Sequence, residues 1–263
     1  MEKTSNLYIA IPVFNERENI KDLFNSLDRL REKLSSAYSS IEIVIVDDGS
    51  NDNTVRLIEA NKSLKLTLLR HEKNIGPGAS FGTAFEYLSS RINSEDWVVT
   101  MEGDNTSRLN VLEHMLMRKN EGYDVVLASP FIYGGSFENI PWFRIFVSNV
   151  LVVLIKIIMD LHGILVFSSF FRIYGGGIVL KMQRRFGKRI IESSGFEHAL
   201  ELIAKLVIVG ARISEVEMNL NWENRKGKSK MRFFKTILGY LKIMLKFNCK
   251  KLKRDKLAFK HNQ

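Results

Sequence analysis

The chain has 263 residues, of which 45% are hydrophobic and 26% are charged. This composition favours a globular protein and excludes a disordered or collagen-like chain. Cys249 is the one cysteine, so an internal disulfide is excluded and a reducing compartment is expected. The early apolar run, LYIAIPVF, is too short to predict a signal peptide.

The positive charge is concentrated at the C-terminal end. The formal net charge of the whole chain is +10. Residues 224–263 carry 14 Lys or Arg and one acid, Asp255, which gives +13 and leaves 10 minus 13, or −3, for residues 1–223. A basic segment on a near-neutral body indicates membrane lipid or nucleic acid as an anionic partner, or a solvated end without a partner.

Strand and helix patterns alternate through the first half of the chain. Short apolar runs predict five strands, at residues 7–13, 41–48, 64–70, 96–102 and 123–129. The segments between them predict four helices, at about 16–34, 53–62, 78–88 and 109–117. Such alternation with fully apolar strands is typical of an α/β protein whose mostly parallel sheet has helices on both faces.

The second half is less regular. We expect a helix over about 142–159, a strand, a glycine break and a helix within 170–182, a helix over 195–210, a strand over 211–220 and a helix over 231–247. No charge-free apolar run approaches the roughly 20 residues that span a bilayer. The longest such run, 145–155, lies between Arg144 and Lys156, so we expect the 142–159 helix to be either buried in the core or interfacial.

Acidic residues collect where predicted strands end. Asp47 and Asp48 end the second strand, and Glu102 and Asp104 follow the fourth. Ligands of open parallel sheets bind at these carboxyl ends. Neighbouring carboxylates raise each other's pKa unless a cation offsets them, and Mg²⁺ uses one or two carboxylates with substrate phosphates. We interpret Asp104 as a metal ligand, Glu102 as a direct or water-mediated ligand and Thr106 as a third candidate. The alternative is a pair of solvated turn carboxylates.

The segment NIGPGASFG, residues 74–82, offers glycines that open a predicted helix. Backbone N–H groups at a helix N-terminus can bind phosphate. The segment matches neither a P-loop nor the G-x-G-x-x-G of a dinucleotide site. A phosphate-binding loop and a plain turn therefore both remain open.

Taken together, these motifs resemble those of the family-2 inverting glycosyltransferases, and within them the dolichol-phosphate mannose synthase-like group. IPVFNERENI is similar to the family's I-P-x-Y-N-E-x-x-N-I, and VIVDDGSNDNT to its V-V-D-D-G-S-x-D-x-T. EKNIGPGASFGTAF resembles its K-N-x-G-x-G-x-A-x-x-x-G, and VVTMEGDNTS stands where the family has M-D-A-D. The matches cover about residues 7–130. They imply a nucleotide-diphosphosugar-binding fold of the glycosyltransferase A type.

The resemblance also implies roles for individual residues. Glu102 and Asp104 would hold Mg²⁺ or Mn²⁺ on the diphosphate of the donor, which makes the protein a metal-dependent hexosyltransferase. Asp47 and Asp48 would hold the base and ribose. The other residues implied to bind the donor nucleotide are Pro12, Phe14, Asn15, Glu16 and Gly76.

The second half resembles lipid-phosphate synthases in shorter stretches. WFRIFVSNVL and SSFFRIY give Arg144, Ser148 and Arg172 as residues that would bind the acceptor phosphate. GFEHALEL gives Glu201, a candidate catalytic residue together with Asp104 and Arg144. ENRKGKSKM gives Arg225, which would bind the acceptor phosphate, and Lys230. Both could alternatively bind the donor diphosphate.

Three positions depart from the synthase pattern. Arg225 is one residue too close to Gly227, Pro130 stands where many synthases have Arg, and Val166 stands where they usually carry an Asp that is often discussed as a base. The loss of a base would impair attack by a sugar hydroxyl, whereas a phosphate acceptor is already an oxyanion. The Val166 departure therefore favours a lipid-phosphate acceptor, or an activity that has drifted or been lost.

The last predicted helix, residues 231–247, is basic and amphipathic. Its predicted apolar face comprises Phe233, Phe234, Ile237, Leu238, Leu241, Met244 and Leu245. Arg232, Lys235, Lys242 and Lys246 fall on the opposite face. Such a helix lies on an anionic membrane, or packs on the domain with its lysines in solvent. Aromatics interleaved with a basic groove, as nucleic-acid binding requires, are not seen in this pattern, so nucleic acid is not an expected partner.

The sequence therefore predicts a glycosyltransferase domain over 1–223, with nucleotide-sugar binding in 1–130 and the acceptor part in 131–223, and a membrane-associating tail over 224–263. We expect a peripheral protein that transfers a hexose from a UDP- or GDP-sugar to a polyprenyl or dolichyl phosphate at the cytoplasmic membrane face. The alternatives are a family-2 transferase that acts on a sugar hydroxyl in polysaccharide or glycolipid synthesis, with Glu201 as a base, and an inactive nucleotide-sugar-binding homologue.

Overall fold

A computed structural model describes residues 5–105, 110–221 and 233–260 of the chain. The strands within these ranges are β1 (Asn6–Val13), β2 (Ser40–Asp47), β3 (Leu66–Arg70), β4 (Trp97–Thr100), β5 (Val125–Ser129), β6 (Ser136–Glu138), β7 (Arg172–Gly175), β8 (Ile213–Glu217) and β9 (Asn219–Asn221). The helices are α1 (Ile20–Leu34), α2 (Thr54–Ala60), α3 (Pro77–Ser89), α4 (Val111–Asn120), α5 (Trp142–Met159), α6 (Gly176–Phe186), α7 (His198–Ile208), α8 (Phe233–Lys246) and α9 (Cys249–Lys260).

The predicted elements are present, with ends that shift by a few residues. The strand expected over 211–220 is divided into β8 and β9, which belong to different sheets. β6 and α9 were missed. β6 has three residues, too few for a periodic pattern, and α9 lies in a segment that its many lysines mark as a solvated tail. α9 also packs against the rest of the protein, because its Leu252 is buried.

Seven strands form one sheet in the order β3-β2-β1-β4-β7-β5-β8. β7 runs antiparallel to both of its neighbours, β4 and β5, and the other pairs are parallel. The prediction of a mostly parallel sheet is confirmed. In this register Val13 pairs with Asp47, and Ala10 with Thr100. The loops that follow β1, β2 and β4 therefore leave the sheet side by side.

Alternate residues of the strands face two hydrophobic layers, as the period of a strand requires. In β1, Tyr8 and Ala10 face one layer, whereas Ile9 and Ile11 face the other. α1 and α4 cover the second layer, and α3, α6 and α7 cover the first. The predicted arrangement of helices on both faces of the sheet is confirmed.

α8 and α9 belong to the first of these layers. Tyr240, Ile243 and Met244 of α8, and Phe247 directly after it, are buried in this layer together with residues of α5 and α7. The predicted single apolar face of α8 is therefore corrected, because Met244 lies on the buried side. A second apolar row, Phe234, Leu238, Leu241 and Leu245, is exposed. The described part of the predicted tail, residues 233–260, thus contributes side chains to the core.

α5 is the one helix of the described residues that is long and apolar enough to cross a membrane, by length and composition alone. It has 18 residues, a mean hydropathy of 2.0 and only 11% of its residues buried. Most of α5 therefore lies outside the core, and only Ile155 and Met159 are buried in the first layer. The exposed residues on its outer side are Trp142, Phe143, Phe146, Val150, Val153 and Ile157.

Candidate active site

Two neighbouring cavities open at the carboxyl ends of β1, β2 and β4. The polar cavity has a volume of about 580 Å³, and its walls come from the loops after these strands, the start of α3, residues 194–197 and the first turn of α8. The apolar cavity, of about 290 Å³, lies between α5, residues 166–170 and α8. The residues that border both cavities are Glu102, Asp104, Phe170, Phe196 and Thr236.

The turn Glu102-Gly103-Asp104 brings two carboxylates to the boundary between the cavities. A Cβ at Gly103 would lie 2.8 Å from Cγ1 of Val13, so only glycine allows this turn to lie against the end of β1. Asn105 then adopts a left-handed conformation with φ of 63°, and its Nδ2 donates to the carbonyl of Asn19 at 3.1 Å. Glu102 and Asp104 thus lie beyond the carboxyl end of β4, where the sequence predicts a site.

Two carboxylates plus substrate phosphates match the way in which Mg²⁺ is usually bound. Within the described ranges, no group of three or more His, Cys, Asp or Glu side chains is arranged to hold a metal by itself. The donor set offered by Glu102 and Asp104 therefore suits a cation that is shared with a ligand. Thr106, the third candidate, lies outside the described residues.

Asp48 connects the end of β2 to the start of α3. Its Oδ1 accepts the N–H of Ile75 at 3.0 Å and its Oδ2 the N–H of Gly76 at 2.8 Å. His71 contacts Oδ1 through Nδ1 at 2.8 Å, and its Nε2 lies 2.9 Å from Oγ1 of Thr83. These contacts orient the Asp48 carboxylate towards the polar cavity, which it lines.

Asp47 and Asn15 stabilise the loops instead of lining either cavity. Asp47 is fully buried, accepts the N–H of Ser50 and forms an ion pair with Arg70. Asn15 has a φ of 51°, and its Oδ1 accepts the N–H of Asn51 at 2.9 Å. The prediction that they contact the nucleotide is therefore corrected, because their polar atoms hold the loops after β1 and β2 together. The polar cavity is lined by the other predicted donor residues, Pro12, Phe14, Glu16 and Gly76.

The glycines before α3 allow this segment to pack closely against residues 193–195. A Cβ at Gly78 would lie 2.0 Å from the carbonyl oxygen of Ser193, and one at Gly76 would lie 2.3 Å from that of Ser194. The N–H of Gly78 donates to the Ser194 carbonyl at 2.8 Å, and the N–H of Gly76 is bonded to Asp48. Of the two interpretations, the turn is favoured, because these two donors already have partners.

Glu201 does not reach either cavity, and its prediction as a catalytic residue is corrected. It is fully buried and lies 2.6 Å from Nζ of Lys205, which is also buried. Its carboxylate accepts the N–H groups of Glu192 and Ser193. The ion pair thus fixes the segment that continues into residues 194–197 of the polar cavity.

The same network reaches α8 through Glu192. The Oε2 atom of Glu192 lies 3.1 Å from Nζ of Lys205 and 2.8 Å from Nζ of Lys246. Burial raises the pKa of Glu192, but the two ammonium groups outweigh burial and lower it to about 2. Glu192 is therefore ionised at neutral pH and joins α7 to α8.

Arg172 is a buried structural residue, which corrects its prediction as a ligand of the acceptor phosphate. Its guanidinium donates to the carbonyl oxygens of Ser169 at 2.7 Å, Ala199 at 3.0 Å and Phe167 at 3.2 Å. These bonds shape the segment 167–170, which lines the apolar cavity. Arg172 therefore acts on the cavity only through the backbone.

Aromatic rings form the floor between the cavities. The rings of Phe170 and Phe196 are stacked, with centroids 5.7 Å apart, and His198 lies 4.6 Å from Phe170. Nδ1 of His198 donates to the carbonyl of Gly195 at 2.8 Å. Burial lowers the pKa of His198 to about 3, so its ring is neutral at physiological pH.

Arg144 and Ser148 come from the first two turns of α5 and line the apolar cavity. Their role as acceptor residues stays a prediction. Arg225 and Lys230 lie outside the described residues. Sequence reasoning missed Glu197 and Lys235, which line the polar cavity, and His71, which orients Asp48. The strand–helix pattern gave no signal for these residues, because packing between distant segments brings them to the site.

An α/β domain with a mostly parallel sheet and carboxylates at the carboxyl ends of its strands defines the class of protein. The profile described as "Glycosyl transferase family 2" matches residues 8–181, and the chain belongs to this family. It is 24% identical to the polyprenol monophosphomannose synthase of Mycolicibacterium smegmatis, over 87% of this chain and 82% of that protein. It is 29% identical to the dolichol-phosphate mannosyltransferase of Pyrococcus furiosus, over 54% of this chain but only 38% of that protein.

The fold is also similar to that of a solved structure. The mannosyltransferase PcManGT from Pyrobaculum calidifontis, in complex with GDP-Man and Mn²⁺, superposes with a TM-score of 0.52 at 16% identity, over 89% of this chain and 60% of that one. At this identity the similarity establishes the fold, and the glycosyltransferase A-type prediction is confirmed.

Proposed function

We propose that this protein transfers a hexose from a UDP- or GDP-sugar to a polyprenyl or dolichyl phosphate. The observation that supports this function best is the boundary formed by Glu102 and Asp104. These acids border a polar cavity, whose volume suits a small-molecule ligand, and an apolar cavity that contains Arg144 and Ser148. The names of the mycobacterial and archaeal relatives support the same acceptor class.

Donor binding is assigned to the polar cavity. Asp48 and Glu16 offer carboxylates to hydroxyl or base N–H groups, and Glu102 and Asp104 would hold Mg²⁺ or Mn²⁺ against the diphosphate. When bound, the cation supplies neutralisation of the charge that develops on the leaving nucleoside diphosphate.

The acceptor phosphate is assigned to the mouth of the apolar cavity. Arg144 would bind its oxygens in a charge-assisted manner and Ser148 would donate a hydroxyl hydrogen bond. A phosphate oxygen attacks the anomeric carbon, a carbon–oxygen bond to that phosphate forms, and the bond from the anomeric carbon to the donor diphosphate breaks. The nucleoside diphosphate leaves with the electron pair, and the single displacement inverts the anomeric centre.

This reaction needs no base to activate the nucleophile. A phosphate monoester is mostly dianionic at neutral pH, since its second pKa is about 6. Among the described residues that line the apolar cavity, Glu102 and Asp104 are the only acids. With Val166 buried at the position of the synthases' Asp and Glu201 bonded to Lys205, the site favours a phosphate over a hydroxyl acceptor.

We also propose that the protein lies on the cytoplasmic face of a membrane as a peripheral protein. The exposed apolar rows of α5 and α8 flank the apolar cavity, which would receive the lipid chain. α9 contacts α5 and carries the exposed residues Lys250, Lys253 and Lys256, and each basic residue near an anionic surface contributes about 1 kcal/mol of binding. Because Arg144 and Ser148 of α5 line a cavity of the protein, we place α5 along the membrane surface and not across it.

The test is an extraction assay. UDP- and GDP-hexoses with a radiolabelled sugar are incubated with Mn²⁺ and vesicles that contain polyprenyl phosphate. We expect label in the organic phase with polyprenyl phosphate, and none with unphosphorylated polyprenol. Arg144→Met should abolish this transfer, whereas Lys156→Met, which removes a charge from the same helix away from either cavity, should not. Transfer that requires a sugar-hydroxyl acceptor instead would contradict the proposal.

A further inference from the structure

α8 is part of the wall of the polar cavity although it lies near the end of the chain. Lys235 and Thr236, in the first turn of the helix, line that cavity together with Phe196 and Glu197. Thr236 borders the apolar cavity as well. One turn of helix thus faces the place where the donor and the acceptor would meet.

Close packing fixes α8 at this position. A Cβ at Gly239 would lie 2.8 Å from Cδ of Glu197, so the helix approaches the 194–197 segment as closely as a glycine permits. Tyr240 and Met244 are buried on the same side. The ion pair of Lys246 with Glu192 attaches the far end of the helix to the network of Lys205. The first turn therefore has a defined position relative to the cavity.

The charge of the cavity gives Lys235 a distinct role. Five carboxylates line the polar cavity, those of Glu16, Asp48, Glu102, Asp104 and Glu197. Among the described lining residues, Lys235 is the only lysine or arginine. A nucleoside diphosphate brings further negative charge, and a side-chain ammonium at the cavity wall can offset part of it.

We propose that Lys235 is a donor-site residue that contacts the diphosphate of the nucleotide sugar, so that α8 completes the donor site. This inference rests on the proposed donor and identifies an additional residue that binds its phosphates. Lys235 would attract the β-phosphate by a charge-assisted hydrogen bond, and Gly239 would keep α8 close enough for that contact.

Lys242 provides a matched control. It is exposed on the same helix and lies seven residues beyond Lys235, which is two turns along nearly the same face and about 10 Å farther along the axis. It does not line either cavity. Lys235→Met and Lys242→Met thus change the net charge by the same amount, but only the first removes an ammonium from the cavity wall.

The experiment measures the binding of GDP, UDP and the matching monophosphates by titration calorimetry with Mn²⁺, on the full chain without vesicles. We expect Lys235→Met to weaken the binding of the favoured diphosphate about tenfold, or about 1.4 kcal/mol, and that of its monophosphate less than twofold. Lys242→Met should change both less than twofold, and Lys235→Arg should restore most of the loss.

The outcomes separate the inference from the function on which it rests. If the wild-type protein binds a diphosphate but Lys235→Met binds it equally well, the assignment of Lys235 is wrong and the proposed function stands. Equal losses for the diphosphate and the monophosphate, or for Lys235→Met and Lys242→Met, would also overturn the assignment, because they indicate distortion or bulk charge. If the wild-type protein binds neither nucleotide, the donor proposal itself fails.

Discussion

The buried pair of Glu201 and Lys205 predicts a variant with a stability defect but an intact catalytic step. Both side chains are at most 2% exposed, and Nζ of Lys205 lies 2.6 Å from Oε1 of Glu201. Glu201→Gln keeps an oxygen for the N–H groups of Glu192 and Ser193 but leaves the buried ammonium without its closest anion. Removing one partner of such a pair costs about 3 kcal/mol, a large part of the 5–15 kcal/mol typical of a folded domain.

The assay is urea unfolding of Glu201→Gln, Lys205→Met and the double variant, combined with sugar transfer by the folded fraction. We expect each single variant to lose about 3 kcal/mol and the double variant to lose less than the sum, because the second change removes a charge already left alone. The turnover of the folded Glu201→Gln protein should stay within about threefold of wild type. A loss of more than 100-fold in turnover with a loss of stability below 1 kcal/mol would refute this reasoning and restore Glu201 as a base.

Three further predictions concern pH, the acid turn and the membrane. In the unfolded chain His198 is protonated below a pKa of 6.5, whereas in the folded protein it stays neutral because its pKa is lowered to about 3. The free energy of unfolding should therefore fall by about 1.4 kcal/mol between pH 7.5 and pH 5.5. Chemical unfolding at both pH values should show this loss for the wild-type protein and no such loss for His198→Phe. Gly103→Ala should lower the free energy of unfolding by about 1–3 kcal/mol and weaken nucleotide binding, because the added Cβ would contact Val13. An unchanged melting temperature and unchanged nucleotide affinity would contradict the tight turn. Leu238→Glu, on the exposed row of α8, should reduce sedimentation with anionic vesicles more than Leu257→Glu on α9, and equal effects would argue against the α8 row as the contact.

The strands of the first half could be predicted because fully apolar runs between polar loops have few other interpretations. The insertion of β7 between β4 and β5 could not be predicted, because β7 pairs with residues 45 to 78 positions away in the sequence. In the sequence, a central antiparallel strand has the same apolar pattern as any other buried strand. The order of the sheet is therefore a result of tertiary packing, which local patterns do not contain.

The candidate site was predictable where a polar residue follows a strand, as with Asp48, Glu102 and Asp104. The sequence did not show whether a given polar residue lies in the site or is buried in the core. Arg172 and Glu201 have the residue types of a phosphate ligand and a base, but each is buried with its polar atoms bonded inside the protein. Lys235 shows the converse case, because a lysine assigned to a solvated face lines the polar cavity.

The central proposal is that Glu102 and Asp104 bind a divalent cation together with the donor diphosphate. The most direct measurement is the titration of UDP and GDP into the wild-type protein with Mn²⁺ and then with excess chelator, repeated for Asp104→Asn and for Glu59→Gln, an exposed acid on α2. We predict that the chelator weakens the binding of the preferred nucleotide at least tenfold for the wild-type protein and for Glu59→Gln. Asp104→Asn should bind that nucleotide weakly under both conditions. Equal affinity with and without Mn²⁺, or an unchanged response of Asp104→Asn, would contradict the proposal.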